Sequence, residues 1–344
     1  MKRQLRTIIN ENPFVALIGD VHAGRKFKTN VPLNRIGERE ETILHDLGNA
    51  LQCYPHHETH LVIMGDLFDK FQVDNNTLLA VNACLQNAVS DKIHLHILRG
   101  NHDISRDLTL SSSFDVLKNL CDSNKNIHFY DADTPCSVLH LPHLRIMALP
   151  YSATTSATEM VEALPTNDPS EKAFYVLGHW DLTAHGEDTH NLIPAEVLAR
   201  KGVTKTYTGH IHKPQQVTLH GVPVTAVGSL QPYAHGEELE GETLYQTLGK
   251  EEVEELLAQN ENHFEDVNLR VLVASGEAWV EAVPNCLSFQ VKMLAADADD
   301  LSDLEVGYEE FSTANILNKN LVGVSENLTA HIHQRIEHYK SLEN

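Results

Sequence analysis

The sequence has no CxxC pair, no apolar run approaching the ~18 residues of a membrane span, no internal repeat and no low-complexity linker. Its five cysteines, Cys53, Cys84, Cys121, Cys136 and Cys286, are odd in number and scattered. That argues against a disulfide framework and fits free, buried thiols in a reducing compartment. The N-terminal stretch MKRQLRTIINENPFVALIGD carries basic residues, but Asn10, Glu11, Asn12 and Pro13 interrupt it before a signal-peptide core can form. Together these features read as a soluble, cytoplasmic protein with no membrane partner. Basic residues are the other shortage: 26 Lys and Arg against 48 Asp and Glu leave a formal net charge of -22. A nucleic-acid footprint is usually basic, so any DNA or RNA contact needs local basic patches, bound cations or a basic partner.

What is present is histidine, 22 of them, which beside the acidic excess leans towards divalent-metal chemistry. At 344 residues the chain is long enough for one large domain and a smaller one. Short strand-like runs recur, several of them wholly apolar, and stop at the same kind of residue. Phe14–Ile18 stops at Gly19-Asp20-Val21-His22, Leu61–Met64 at Gly65-Asp66, and Ile93–Leu98 at Arg99-Gly100-Asn101-His102-Asp103. Ala173–Leu177 stops at Gly178-His179, and Val203–Thr208 at Gly209-His210-Ile211-His212. Apolar runs of this length predict strands buried on both faces, as in a parallel sheet. Helices are expected over about 36–51, 75–90, 114–121, 250–258 and 326–342, with further strands near 127–130, 136–140, 144–149, 215–219, 222–227 and 267–291. Strand–helix alternation predicts an α/β sheet, with the later strands forming a second sheet packed on the first. The acidic run 237–266 reads as solvated surface with a domain boundary in it.

The carboxyl ends of parallel strands are where ligands bind in open α/β sheets. Collected there, Asp20, His22, Asp66, Asn101, His102, His179, His210 and His212 form a mixed oxygen/nitrogen donor set suited to Mn, Fe or Zn. Asp-x-His and His-x-His each put two donors on one turn, so two such pairs and a shared Asp66 can enclose two ions. A cation pair roughly 3.5–4 Å apart clamps the attacking and leaving oxygens of phosphoester hydrolysis.

These motifs, GDVH at 19–22, GDLFD at 65–69, GNHD at 100–103, GH at 178–179 and GHIH at 209–212, resemble the calcineurin-like metallophosphoesterases over residues 1–235 or so. The resemblance implies a four-layer α/β/β/α sandwich. It implies Asp20, His22, Asp66 and His212 on one metal, with Asp66, Asn101, His179 and His210 on the other. His102, with Asp103 beside it in the motif, would be the catalytic pair at the scissile phosphate, attacked in line by a bridging hydroxide. Narrower features, GDVHAGRKFK, GHIHKPQ and Gly228-Ser229 through Gly236-Glu237, are similar to the SbcD branch of bacterial and phage recombination nucleases. That branch implies a Mn-dependent DNA exonuclease/endonuclease in repair and recombination, partnered by an SbcC-like coiled-coil P-loop ATPase, with a homodimer open. On that pattern, residues 1–245 form the nuclease domain and 246–344 a small C-terminal capping domain with a partner-binding helix. Asp69 departs from the histidine some members carry there. The alternative is a phosphodiesterase for cyclic nucleotides or nucleotides, which the charge of -22 favours.

Overall fold

The computed structural model describes residues 4–52, 58–105, 107, 109–170, 172–184, 188–277, 279 and 283–294. The first sheet contains β1 (Thr7–Glu11), β2 (Phe14–Ile18), β3 (Thr59–Ile63), β4 (Ile93–Leu98) and β5 (Ile127–Tyr130), in that order. All neighbours are parallel except β1, which runs antiparallel to β2. Parallel neighbours need crossovers, and α1 (Glu38–Leu51), α2 (Asn75–Ala88) and α3 (Ser113–Cys121) supply them. Their starts are encoded locally. The Asp74 side chain caps α2 by accepting from the Thr77 N–H, and Ser112 and Asp115 form a capping box on α3.

The second sheet has the order β10-β11-β9-β8-β7-β6, from β6 (Cys136–His140), β7 (Leu144–Ala148), β8 (Ala173–Gly178), β9 (Lys205–Thr208), β10 (Gln215–Leu219) and β11 (Val222–Ala226). Its four inner strands are parallel and both edges antiparallel. The helices α4 (Ala157–Glu162) and α5 (Ala195–Arg200) accompany it. A third, small sheet joins β12 (Tyr245–Gly249), β13 (Asn268–Val273) and β14 (Ser288–Met293), with α6 (Lys250–Gln259) crossing from β12 to its parallel neighbour β13.

Three apolar cores define the layers. In β2, Ala16 and Ile18 point into a core shared with Ile43, Leu47, Val81 and Leu117 of the helices, while Val15 and Leu17 point the other way. There they meet Ile146, Ala148, Leu177 and Tyr207 of the second sheet. On that sheet's far face, Phe174, Val176, Val222 and Val224 pack on Met160, Val161 and Leu198 of α4 and α5. The order is therefore helices, sheet, sheet, helices. Each fully buried Leu, Ile or Phe contributes about 1.5–3 kcal/mol of transfer free energy.

Three elements were not expected from sequence: β1, a partly exposed edge strand, the six-residue α5, and β12 inside the acidic run. A capping domain after residue 245 is not evident, because β12, α6 and most of β13 and β14 belong to the compact unit formed by 1–272 and 279–292. A second unit comprises 273–278 and 293–344. The helix expected at 326–342 lies outside the described residues, as does Cys53. Cys84, Cys121, Cys136 and Cys286 are free thiols. Among the described residues, no helix is long and apolar enough to cross a membrane.

Candidate metal centre

In-register parallel pairing brings the strand ends to one edge. Ile18 lies beside Ile63, Ile63 beside Ile97, and Gly178 beside Thr208, so the residues that follow them emerge together. The backbone then bends sharply. His22, Asp66 and His210 all have left-handed φ values of 49°, 48° and 72°. Non-glycine residues avoid this region, and such strain persists at sites that the surrounding structure over-determines. Two preceding glycines permit the close approach. A Cβ on Gly65, itself at φ +110°, would lie 2.2 Å from His179 Nδ1, and one on Gly100 would lie 2.1 Å from Asp66 Oδ1.

The histidines share one design. Each has one ring nitrogen beside an oxygen of the protein and the other turned inward. His179 Nδ1–H donates to the Met64 carbonyl at 2.9 Å. His210 Nε2 meets Asp181 Oδ1 at 2.8 Å, and His212 Nδ1 meets Glu237 Oε1 at 3.0 Å. His22 Nδ1 is the loosest, 3.4 Å from Asp69 Oδ1. Outer partners of this kind fix the tautomer and orientation of metal-binding imidazoles.

The inward atoms fall into two groups. Asp20, His22 and His212 form the first, with His22 Nε2 3.0 Å from His212 Nε2 and His212 Nε2 4.0 Å from Asp20 Oδ2. Asp66, His179 and His210 form the second, into which Asn101 projects its carbonyl oxygen, 3.0 Å from His179 Nε2 and 2.9 Å from His210 Nδ1. Asp66 Oδ2 stands between them, 3.3 Å from His179 Nε2 and 3.7 Å from His22 Nε2. Donors that each sit about 2.1 Å from a common cation are roughly 3.0–3.4 Å from one another, close to these spacings.

The residues fit a cation pair on grounds internal to the site. Asp20 is fully buried, and neither of its carboxylate oxygens has a hydrogen-bond partner. An uncompensated buried carboxylate is costly, and a coordinated metal removes the cost. His179 Nε2, whose proton is on Nδ1, and Asn101 Oδ1 also face each other as acceptors. Without metal, protons must do the neutralising. Burial works against charge on His179, but Asp66 and Asp20 outweigh it and push its pKa up to about 10. Burial likewise disfavours the Asp66 carboxylate, yet His179 and His22 hold it well below the usual range. Burial and the neighbouring His179 push His210 down to about 4. Metal binding displaces such protons.

His102 lies beside the first group, its ring centroid 4.9 Å from that of His22. Its Nδ1–H donates to the Asp69 carbonyl at 2.6 Å, leaving Nε2 as the free ring nitrogen, and its backbone N–H donates to Asp66 Oδ1 at 2.9 Å. A third grouping joins His22, Asp69 and His102. Asp103, expected at the reacting phosphate, is placed behind the site instead. It is fully buried, and its carboxylate accepts backbone N–H bonds from Leu67, Phe68 and Gly100. Burial and repulsion from Asp66 push its pKa up to about 7. Asp181 and Glu237 were not expected at the site. Asp181 lies two residues beyond His179, and Glu237 closes the Gly228–Glu237 segment, its second oxygen accepting from the Tyr233 N–H at 2.7 Å.

Two stacked α/β layers carrying a shared-carboxylate His/Asp/Asn centre define a metal-dependent phosphoester hydrolase. The calcineurin-like phosphoesterase family profile matches residues 15–214, and the chain belongs to that family. No curated protein matches the chain. Among solved structures, it is similar to a phosphopantetheinyl hydrolase from Mycobacterium tuberculosis, at 13% identity and a TM-score of 0.39 over 64% of this chain and 93% of the other. It is also similar to a 5′-nucleotidase precursor from Thermus thermophilus, at 14% identity and a TM-score of 0.32 over 63% of this chain and 48% of the other.

Proposed function

We propose that the chain is a two-metal, Mn-dependent phosphodiesterase acting on DNA, an SbcD-like nuclease subunit that works with a coiled-coil P-loop ATPase. The observation that carries the two-metal reading is the position of Asp66 Oδ2 between the two donor groups. Asp20, His22, Asp66 and His212 would hold one ion, and Asp66, Asn101, His179 and His210 the other. When bound, the ions supply an activated water oxygen and neutralise charge on the phosphoryl oxygens. With Nδ1–H held by the Asp69 carbonyl, His102 would need a second proton, on Nε2, to protonate the leaving oxygen or to stabilise its charge. Asp103 acts as a positioning residue, pinning the turns after β3 and β4 to each other through three backbone N–H groups.

For DNA as substrate, support comes from the basic segment that begins at Arg25, whose guanidinium is 3.5 Å from Asp69 Oδ1 at the His22 end of the centre. Further support comes from the Gly228–Glu237 segment, which ends on His212 through Glu237. Arg35 and Arg99 are engaged by Glu38 with Asp266 and by Asp133, and contribute less.

The test is hydrolysis of linear duplex DNA and of a chromogenic small phosphodiester with Mn, for the wild type and His102→Ala. Loss of a general acid costs about 10²–10⁴ in rate, while the backbone bond from residue 102 to Asp66 survives the substitution. Mn-dependent DNA shortening that is lost in the variant, with both metals retained, supports the proposal. Hydrolysis of the small diester with DNA untouched, even with the ATPase added, would favour the small-molecule phosphodiesterase.

A further inference from the structure

Beside the centre lies a groove of about 270 Å³ that the metal chemistry does not use. It is formed by the loop 25–31, Tyr233 to His235, Tyr245 and the facing residues of β13 and β14. In a chain of net charge -22, the lining includes Arg25, Lys26, Lys28 and Arg270 and no carboxylate. Two of these cations have local anionic partners: Arg25 has Asp69, and Lys26 has Asp74 at 3.2 Å. Neither Lys28 nor Arg270 forms a salt bridge with a described residue; with the Gln290 amide turned so that its oxygen faces the guanidinium, Arg270 donates to that oxygen at 2.8 and 2.9 Å.

A second observation lies under the floor. The Arg39 guanidinium is 2% exposed and sits 4.7 Å from the Phe27 ring centroid and 5.4 Å from that of Tyr245. Its Nη2 donates to Gln231 Oε1 and the Pro232 carbonyl, but Nε and Nη1 have no hydrogen-bond partner. No described carboxylate forms a salt bridge with it. Guanidinium does not deprotonate in proteins, so a buried positive charge without a salt-bridge partner among the described residues lies against rings that line the groove. Its field attracts an anion from above.

The groove also connects to the chemistry. Tyr233 lines it, and the same ring stands 5.3 Å from His22 and 5.6 Å from His212, centroid to centroid. One ring thus borders both the groove and the first metal position. Half-buried Phe27 and His235 on the walls offer ring surface beside the cations, and phosphate-binding cations interleaved with aromatic rings are how proteins track a single nucleic-acid strand.

We infer that this groove binds the nucleic-acid strand flanking the scissile phosphate, with Lys28 and Arg270 on its phosphates and Phe27 against a base. The inference rests on the nuclease reading above and adds the strand's path. An unpaired strand fits this arrangement better than an intact duplex, because only an unpaired strand offers its base faces to the ring.

The experiment measures binding of a fluorescent single-stranded DNA of about 15 nucleotides, within the usual range of single-strand site sizes, by anisotropy. It uses the full chain with Mn, in the His102→Ala background so that the strand is not consumed, across a salt series. Removing both side chains in Lys28→Ala/Arg270→Ala should weaken binding at least about tenfold and lower the magnitude of the log–log salt slope by about 1.4, roughly 0.7 for each lost contact. A misfolded fraction lowers the amplitude and leaves the slope alone, so the slope is the deciding readout. Phe27→Ala should weaken binding with the slope unchanged. An unaltered affinity and slope in the double variant would overturn the groove assignment, as would thymidine monophosphate binding as tightly as the strand. If the wild type hydrolyses a small diester but neither binds nor cuts DNA, it is the nuclease reading that fails.

Discussion

Replacing Glu237 by alanine should weaken one metal position and leave the other nearly intact. Glu237 touches no expected substrate atom. Its Oε1 meets His212 Nδ1 at 3.0 Å and its Oε2 accepts the Tyr233 N–H at 2.7 Å. The first bond sets the tautomer that presents the His212 Nε2 lone pair to Asp20 and His22. Losing an outer partner of a metal-binding histidine costs about 10–100-fold in metal affinity, or roughly 1.4–2.8 kcal/mol at 1.4 kcal/mol per tenfold. Glu237→Gln keeps an acceptor but loses the charge. A charge-assisted bond is about twice as strong as a neutral one, so the glutamine variant should lose about 1 kcal/mol, or about fivefold. Calorimetric titration with Mn reads both positions at once. The expected trace shows two binding steps, one weakened in the order Ala, Gln, wild type, and one moved by less than about threefold, because Asp66 couples the positions only in part. Two unchanged steps, or two steps weakened equally, would refute the assignment of Glu237 to His212 alone.

Two further outcomes test the frame around the site. Asp103→Ala leaves three buried backbone N–H groups without an acceptor, which should cost on the order of 3 kcal/mol in urea unfolding; equal stability would contradict the positioning role. The second concerns His96 in β4, buried among His60, His94, His128 and Tyr130, with Glu58 on the far side of His60, where burial and then His60 and His128 hold its pKa well below 6.5. Below pH 6.5 the unfolded chain takes up a proton that the folded chain refuses, so stability is full above that pH and falls below it, by up to about 1.4 kcal/mol per pH unit. His60 acts in the same direction. Urea midpoints at pH 7.5, 6.5 and 5.5 (roughly spanning the histidine range) should show the loss and its reduction in His96→Gln; a midpoint that rises on acidification would contradict it.

The parts of the fold legible in the sequence are those buried on both faces. Strands β2, β3 and β8 carry uninterrupted apolar runs because each face meets a different core, and donor residues follow closely at their ends. Where burial is one-sided or slight, the signal fades. β1 alternates weakly because it is an edge, and α5 is shorter than two helical turns. β12 is hidden among acidic neighbours, although Tyr245 is 5% exposed and holds the Tyr233 carbonyl. At the site, the inner donors were legible from motif spacing and the outer ones were not. Asp181 and Glu237 matter through which imidazole nitrogen they face, and that depends on tertiary placement. Asp103 shows the converse, since its neighbour in sequence, His102, lies beside His22 while Asp103 turns back to the backbone. The run 237–266, read as solvated surface, begins with a residue wired to His212.

The most direct measurement is an anomalous difference map from crystals loaded with Mn. Two peaks about 3.5–4 Å apart, one within the Asp20–His22–Asp66–His212 group and the other within Asp66–Asn101–His179–His210, are predicted. A single peak, or a peak held by His22, Asp69 and His102, would contradict the shared-carboxylate centre.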